Sequence, residues 1–464
     1  MRRTILAIAY VALAVALLAL RPLPTPGPAM RDFEAYRSAG AAQNAGADPY
    51  GRAIWLYERN VPGVNIARDE LLPFIGPPAT LLVWSPLARL PYRVGTSLWG
   101  AILAIALGAL VATVVAASGA PLVPFTLLAM LVLAAGCGPV TSDLALGQIA
   151  LLAFLGASAL TMLAPRSLVL AIPATLLAFA QPNAAIGLIS QLGRNRATVA
   201  VAIGAALTYL AGALARGWAW PAEYAAATAA HLTAERFDAI QFTPASIAYG
   251  LGSTPRVAAV VALVTTLAAA AAATALAIRV RERFARFAAF SALSPFVASF
   301  FHEHDLVVAF AAMGWTGLRA RGPARRLALA GTLLAGVDWL GLAQRPTGIA
   351  QSALLALAAL GAFLAMGEEN AIGSTLPAAL VPALLFAAAA WAGAHAPMPV
   401  WPDALGNYHA PAGATIAAIW SAEQRAAGLH AAVPVWALLR ALSLLGCALL
   451  AAAIYRHSSY RRTA

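Results

Sequence analysis

Long apolar stretches recur along this 464-residue chain, and a water-soluble fold has no place to put them all. A helix crossing the hydrocarbon of a bilayer needs about 20 apolar residues. Such runs fall near 4–20, 94–117, 121–136, 144–163, 167–180, 182–193, 197–215, 256–279, 286–301, 304–317, 325–343, 350–366, 373–393 and 433–454. Only 10% of residues are charged, against about 25% in an ordinary soluble domain. The expectation is an all-α, polytopic transmembrane bundle with about 12–14 membrane helices. It forms a single integral membrane domain over 1–464, leaving no room for a large soluble one.

The net charge is +12, yet the sequence contains no lysine: all 30 basic residues are arginines. They cluster in short loops between apolar runs, which is a signal of membrane topology, and nucleic acid is not an expected partner. Arg2 and Arg3, the group Arg279, Arg281, Arg283 and Arg286, the group Arg319, Arg321, Arg325 and Arg326, and Arg456 mark one side as cytoplasmic. Both termini then lie inside, and the first apolar run reads as a retained helix. These anchors agree in parity only if 167–193 crosses twice, broken at Gln181-Pro182-Asn183, because proline removes a backbone donor and clashes with the preceding turn. Non-helical backbone at membrane depth survives where it lines a cavity. The same parity puts 21–93, 217–255 and 394–432 on the outer face. Cys137 and Cys447 lie in or beside apolar runs and read as small core residues.

The long loop 21–93 carries amphipathic pieces at 31–45 and 78–90. Leu81, Leu82, Trp84 and Leu87 suggest an interfacial helix lying on the membrane. Asp32 sits about a dozen residues beyond the first run. A half-desolvated carboxylate there suits a general base, while the alternative is a helix cap. His302, Glu303, His304 and Asp305 form the densest polar cluster in the chain, and ionisable groups at membrane depth mark function by default. The competing reading is a solvated turn that caps the next helix. No metal is expected, because histidines at i and i+2 face apart on a helix and the HExxH spacing is absent. Gln148 and Asn183 are lone amides in apolar runs, serving a ligand or an interhelical hydrogen bond. His231, Glu235 and Arg236 read as a surface helix, and 401–409 as an acceptor rim or an aromatic belt.

A first helix, a long outer loop opening on an acid, and many spans resemble the GT-C class of membrane glycosyltransferases. Within it the sequence is most similar to glycosyltransferase family 87, which includes polyprenol-phosphate-mannose-dependent mannosyltransferases. The resemblance covers roughly 1–340. Asp32-Phe33-x-x-Tyr36 resembles the family's opening motif, Gly46-Ala47-Asp48-Pro49-Tyr50 its Gly-x-Asp-Pro-Tyr turn, and the segment from Pro78 to Pro91, with Trp99, its proline-leucine segment. Gly147-Gln148-Ile149 resembles Gly-Gln-Val/Ile-Asn, with Ala150 where Asn is common. Gln181-Pro182 stands where the family often has Lys-Pro, so this chain lacks that lysine's charge. Ile240-Gln241-Phe242-Thr243 resembles Asn-Gln-Ser, and Ser294-Pro295 with His302 a Ser-Pro…His motif.

The resemblance implies an inverting hexosyltransferase, mannose-specific by analogy, in a bacterial inner or plasma membrane with its active site on the extracytoplasmic side. The donor is a polyprenyl-phosphate sugar, the acceptor a lipid or glycan, the only other partners are membrane lipids, and no cofactor is needed. Asp32 is the expected catalytic base. Tyr36, Gln148, Gln181, Asn183, Gln241, His302, Glu303, His304 and Asp305 are expected to bind substrate. The rival reading is a transporter, flippase or polymerase-like protein for lipid-linked glycans. Transporters carry paired broken helices in two repeats, whereas one break is legible here, which favours the enzyme.

Overall fold

The computed structural model describes residues 29–193, 195–345, 348–367 and 372–460. The expected first span at 4–20, with Arg2 and Arg3, lies outside the described residues. Everything regular among the described residues is helical.

The chain opens with α1 (Arg31–Asn44) and α2 (Leu81–Ala88). The long α3 (Tyr92–Ala117) follows, then α4 (Pro124–Ala135) and α5 (Gly138–Leu146). Next come α6 (Ala150–Leu163), α7 (Leu168–Ala178) and the single turn α8 (Pro182–Ala185). α9 (Asn195–Arg216) leads to α10 (Trp220–Glu235) and α11 (Pro255–Arg279). The last third holds α12 (Gly322–Gly336), α13 (Ile416–Ala426) and α14 (Pro434–Tyr460). Many of these helices begin at proline, whose missing N–H costs nothing in a first turn.

Among the described residues, five helices are long and apolar enough to cross a membrane: Tyr92–Ala117, Arg196–Arg216, Pro255–Arg279, Gly373–His395 and Pro434–Ser459. α4 and α5 add a sixth span if counted together, bent by 74°. The remaining expected spans are shorter helices interrupted at prolines and glycines. α11 is mostly turned outward, with Val260, Leu263, Val264 and Leu267 each about 60% exposed, the surface a lipid-facing helix presents. α14 is the central post, and it meets α12 through glycines: a Cβ on Gly331 would lie 2.9 Å from the Gly446 carbonyl oxygen. Such close approach is how helices associate in lipid, where apolar burial gives little drive.

The break at Gln181-Pro182 is present. α7 ends at Ala178, Gln181 is extended (φ −135°, ψ 107°), and Pro182 starts α8, which runs into a 3-10 helix at Ile186–Gln191. Neither half is long enough to cross: α7 has 11 residues, about 16 Å at 1.5 Å per residue, against a hydrocarbon core of about 30 Å. The second break, between α4 and α5, is not visible as a motif. It falls at Gly136-Cys137, where a Gly136 side chain would collide with the Leu355 carbonyl at 2.7 Å.

The first loop also differs in orientation from its expected interfacial role. Leu81 and Trp84 are buried, and Trp84 stacks on Tyr36 at 4.7 Å and meets Trp99 edge-on at 4.9 Å. That face of α2 packs on protein. Leu82 and Val83 are the exposed ones.

Two ends of the bundle are chemically distinct. At one end Arg279 lies over the Tyr455 ring at 5.9 Å, Trp315 donates to Glu282 at 2.9 Å, and His457 packs on Trp315 at 5.4 Å. At the other end Arg440, earlier on the same α14, donates to the carbonyl of Gln241 at 2.6 Å and to Ser246 at 2.7 Å. From Arg440 to Tyr455 the helix rises about 22 Å.

Candidate active site

At the Arg440 end a cavity is lined by Asp32 and Tyr36 of α1, Gln148, Gln181, His231 and Glu235 of α10, Phe300, His302, His304 and Trp420 of α13. It draws on segments separated by almost 400 residues.

Asp32 stands in the first turn of α1, but the cap position is Met30, which makes no side-chain cap. The capping alternative for Asp32 therefore does not hold. Its Oδ2 accepts from Gln148 Nε2 at 2.8 Å, and the Tyr36 hydroxyl donates to Gln148 Oε1. With the carbonyl of Gln148 taken by a donor, its N–H is turned to Asp32. A local device makes this possible. Gly147 closes α5 in the left-handed conformation (φ 73°), which favours glycine, and a Cβ there would lie 2.8 Å from Met30 Cβ. Its carbonyl accepts from Trp99 Nε1 at 2.7 Å. The turn thus lies tight under α1 and delivers Gln148 to the acid. Burial raises the Asp32 carboxyl to about 6, with the Gln148 hydrogen bond and the charge of His302 pulling the other way.

Opposite Asp32, Glu235 is fully buried and faces three donors. His302 Nε2 lies 2.5 Å from its Oε1, while its Oε2 lies 2.8 Å from His231 Nε2 and accepts from Trp420 Nε1 at 3.0 Å. Two unprotonated acceptors do not approach to 2.5 Å, so a proton lies between Glu235 and His302. Burial alone would raise the Glu235 carboxyl. The charge of His302 and the hydrogen bonds from both histidines instead hold it well below the usual range. Gln241 flanks this group: its Oε1 accepts from Phe301 N at 2.9 Å, which leaves its Nε2, a second donor, 3.0 Å from His302 Nε2.

Of the expected substrate-binding residues, Tyr36, Gln148, Gln181, His302 and His304 line the cavity with Asp32. Gln241, Asn183 and Asp305 sit behind it as supports. Asp305 Oδ1 accepts from Gln181 at 3.0 Å, and Oδ2 from Asn183 at 3.0 Å and from the His302 backbone N–H at 2.9 Å. Asn183 also donates to the Phe300 carbonyl at 2.9 Å. The two amides flanking Pro182 therefore clamp the turn that presents His302. Glu303 is not brought to the cavity; it turns toward Asp338 and Arg345.

His231 and Glu235 do not form the expected surface helix: both are buried and belong to the site. Their i, i+4 spacing, which puts two residues on one helix face, is the signal that could have found them. In the segment 401–409, Trp401 carries Arg31 over its ring at 4.6 Å. His302, His304 and Asp305 bring ligand-type atoms within 4.8 Å of one another. A metal fits poorly there, because both Asp305 oxygens already accept from nitrogen donors.

Residues 74–301 match the family model described as glycosyltransferase family 87. Over that stretch, just under half of the chain, the protein is similar to glycosyltransferase family 87. Comparison with curated proteins and with solved structures gives no match. The family 87 segment contains Gln148, Gln181, Asn183, Glu235 and Gln241. Asp32 precedes it, and His302 is the first residue after it. The similarity indicates a glycosyltransferase on a polytopic helical membrane fold.

Proposed function

We propose that this protein transfers a hexose, mannose by resemblance, from a polyprenyl-phosphate donor to a hydroxyl of a lipid or glycan acceptor. The observation that carries the reading is Asp32: a carboxylate in a shared cavity, oriented by Gln148, with Oδ1 making no hydrogen bond among the described residues. In the proposed step Asp32 takes the acceptor hydroxyl's proton as that oxygen bonds to the anomeric carbon. The bond from that carbon to the phosphate oxygen breaks, the electron pair leaves with the polyprenyl phosphate, and the anomeric centre inverts. Positioned proton transfer of this kind contributes about 10²–10⁴-fold, and charge on the leaving phosphate calls for preorganised donors. No metal or cofactor is assigned a part.

The chemical difference between the two ends of the bundle supports an extracytoplasmic location. Arginine-bearing loops stay cytoplasmic, and the cavity lies at the opposite end of α14 from Arg279 and Arg456. The transporter or flippase alternative gains one feature, the second broken helix. Against it, Phe154, Phe301 and Phe310 are fully buried in the core rather than bordering a path. Purified protein supplied with a panel of polyprenyl-phosphate sugars and a membrane extract as acceptor tests the proposal. Transfer that requires Asp32 supports it; sugar-lipid movement across vesicles without transfer would replace it with the transporter reading.

A further inference from the structure

We propose that Glu235 is a positioning residue that makes His302 the cation for the donor phosphate in a chain without lysine. The inference rests on the polyprenyl-phosphate reading above.

The starting point is a missing charge. A phosphate leaving group requires cationic or strongly donating partners. Among the described residues no arginine lines the cavity, and the chain contains no lysine. The buried arginines nearby are engaged elsewhere: Arg31 bridges Glu34 at 2.9 Å, and Arg440 donates to backbone carbonyls and Ser246. Among the described residues, His302, which faces the Glu235 carboxylate, is the candidate cation of the cavity.

An imidazole in a buried site loses its proton unless an anion faces it. Glu235 supplies that anion to His302. The carboxylate has no solvent contact, so donors must hold it in place, and it has three: His302, His231 and the Trp420 indole. His302 uses Nε2 toward Glu235, and its Nδ1 makes no hydrogen bond among the described residues. One nitrogen thus anchors the charge while the other is left for a ligand. The backbone of His302 is held by Asp305, itself clamped by Gln181 and Asn183.

The groups facing His302 come from every neighbouring element: Glu235 and His231 from α10, Asp305 and His304 from its own turn, Asp32 across the cavity, and Gln241. Burial disfavours the imidazolium, but the charge and hydrogen bond of Glu235, followed by Asp305 and Asp32, raise its proton affinity above the ordinary value. A raised histidine is charged at lower pH and loses its charge as pH rises through that raised value. Without Glu235, burial dominates and the loss moves to lower pH.

The test is binding of undecaprenyl phosphate to the full-length protein in nanodiscs between pH 6 and 9, for wild type, Glu235→Gln, Glu235→Asp and His302→Gln. The ligand's own second ionisation near pH 6 is shared by all variants, so the difference between variants is what is read. Wild-type affinity should fall about tenfold or more as the imidazolium is lost, since one unit of proton affinity corresponds to about tenfold. Glu235→Gln should bind about tenfold more weakly at pH 7, with its decline shifted to lower pH, and Glu235→Asp should restore part of the shift. His302→Gln retains a donor for Glu235 but no charge, and should be weak with a shallower decline than wild type. It also covers the case in which Glu235→Gln does not fold. Wild-type affinity and wild-type pH dependence in both Glu235→Gln and His302→Gln would overturn the inference while leaving the donor class intact. No binding of undecaprenyl phosphate by wild type at any pH would remove the donor class itself, and this inference with it.

Discussion

Two sets of buried carboxylates lie on either side of α1, and burial has opposite consequences in them. In the cavity, Glu235 has three donors and is held ionised. Behind α1, Glu34, Glu58, Glu70 and Glu423 are equally buried, with Arg31 and Arg68 as their cations. Arg31 lies 2.9 Å from Glu34 and Arg68 lies 2.9 Å from Glu70. Glu34 Oε1 and Glu58 Oε1 have no hydrogen-bond partner among the described residues. Burial pushes Glu34 up to about 8 and Glu423 up to about 9, and Glu58 rises well above the carboxylate range. Glu235 and these glutamates are equally buried, so the facing charge of His302 and the histidine hydrogen bonds make the difference. The second set closes the first loop against α13, where Leu71 N donates to Glu423 at 3.0 Å.

Replacing an acid by its isosteric amide is the sharpest way to break this contrast, because an amide mimics a neutral acid and not an ionised one. Asp32→Asn should lower sugar transfer by about 10²–10⁴-fold with normal membrane insertion. Glu34→Gln, two residues away on the far face of α1, should stay within a fewfold of wild type. Comparable initial rates for the two variants would erase the distinction.

Gln148→Leu should have the next largest effect. It removes the N–H that orients Asp32 and strands the Tyr36 hydroxyl. Hydrogen bonds to charged groups contribute about 1.5–3 kcal/mol, so turnover should fall about 10–100-fold. Donor affinity measured on the same preparation should change little. A loss confined to affinity would move Gln148 from supporting the base to binding the donor.

The pH dependence of transfer sharpens the contrast more gently. Asp32 acts as a base only when ionised, so turnover should fall as pH drops through about 6. A rate flat from pH 5 to 7 would remove Asp32 from proton transfer.

The smallest effect is on stability. Glu34 and Glu423 bind a proton more tightly folded than unfolded. Stability is therefore lost as pH rises from the ordinary glutamate value toward about 8 and 9 respectively, because the folded state retains the proton through that window. The unfolding temperature in detergent should decline from pH 5 to 8, and Glu423→Gln should flatten the decline. An identical decline in that variant would mean that Glu423 is ionised in the native protein.

Much of the site was legible because its residues interrupt apolar runs. Asp32, Gln148, Gln181, His302 and His304 each stand out against hydrophobic neighbours, and all five reach the cavity. Glu235 was harder. α10 is alanine-rich and only partly apolar, so its acid looks like one on a solvated face; the i, i+4 pairing with His231 is a hint in the sequence, and the tertiary contact with His302 gives it meaning. Glu303 shows the reverse problem: neighbours in a polar cluster point in different directions, and this one leaves for Asp338. The membrane helices were legible as apolar composition but not as lengths. The run at 121–136 reads as a span of its own, whereas its helix Pro124–Ala135 passes as a span only together with Gly138–Leu146, across a 74° bend at the Gly136-Cys137 corner.

The anchoring of Gln241 by Arg440 bears on how the protein is made. The ribosome emits Asp32 early and Arg440 some four hundred residues later, at about 5–20 residues per second. For roughly the last minute or less of synthesis, the early parts of the cavity sit in the membrane without their final brace or Trp420. A chain released before α14 therefore lacks the brace that Arg440 gives to Gln241 and Ser246, and with it one support of the cavity wall.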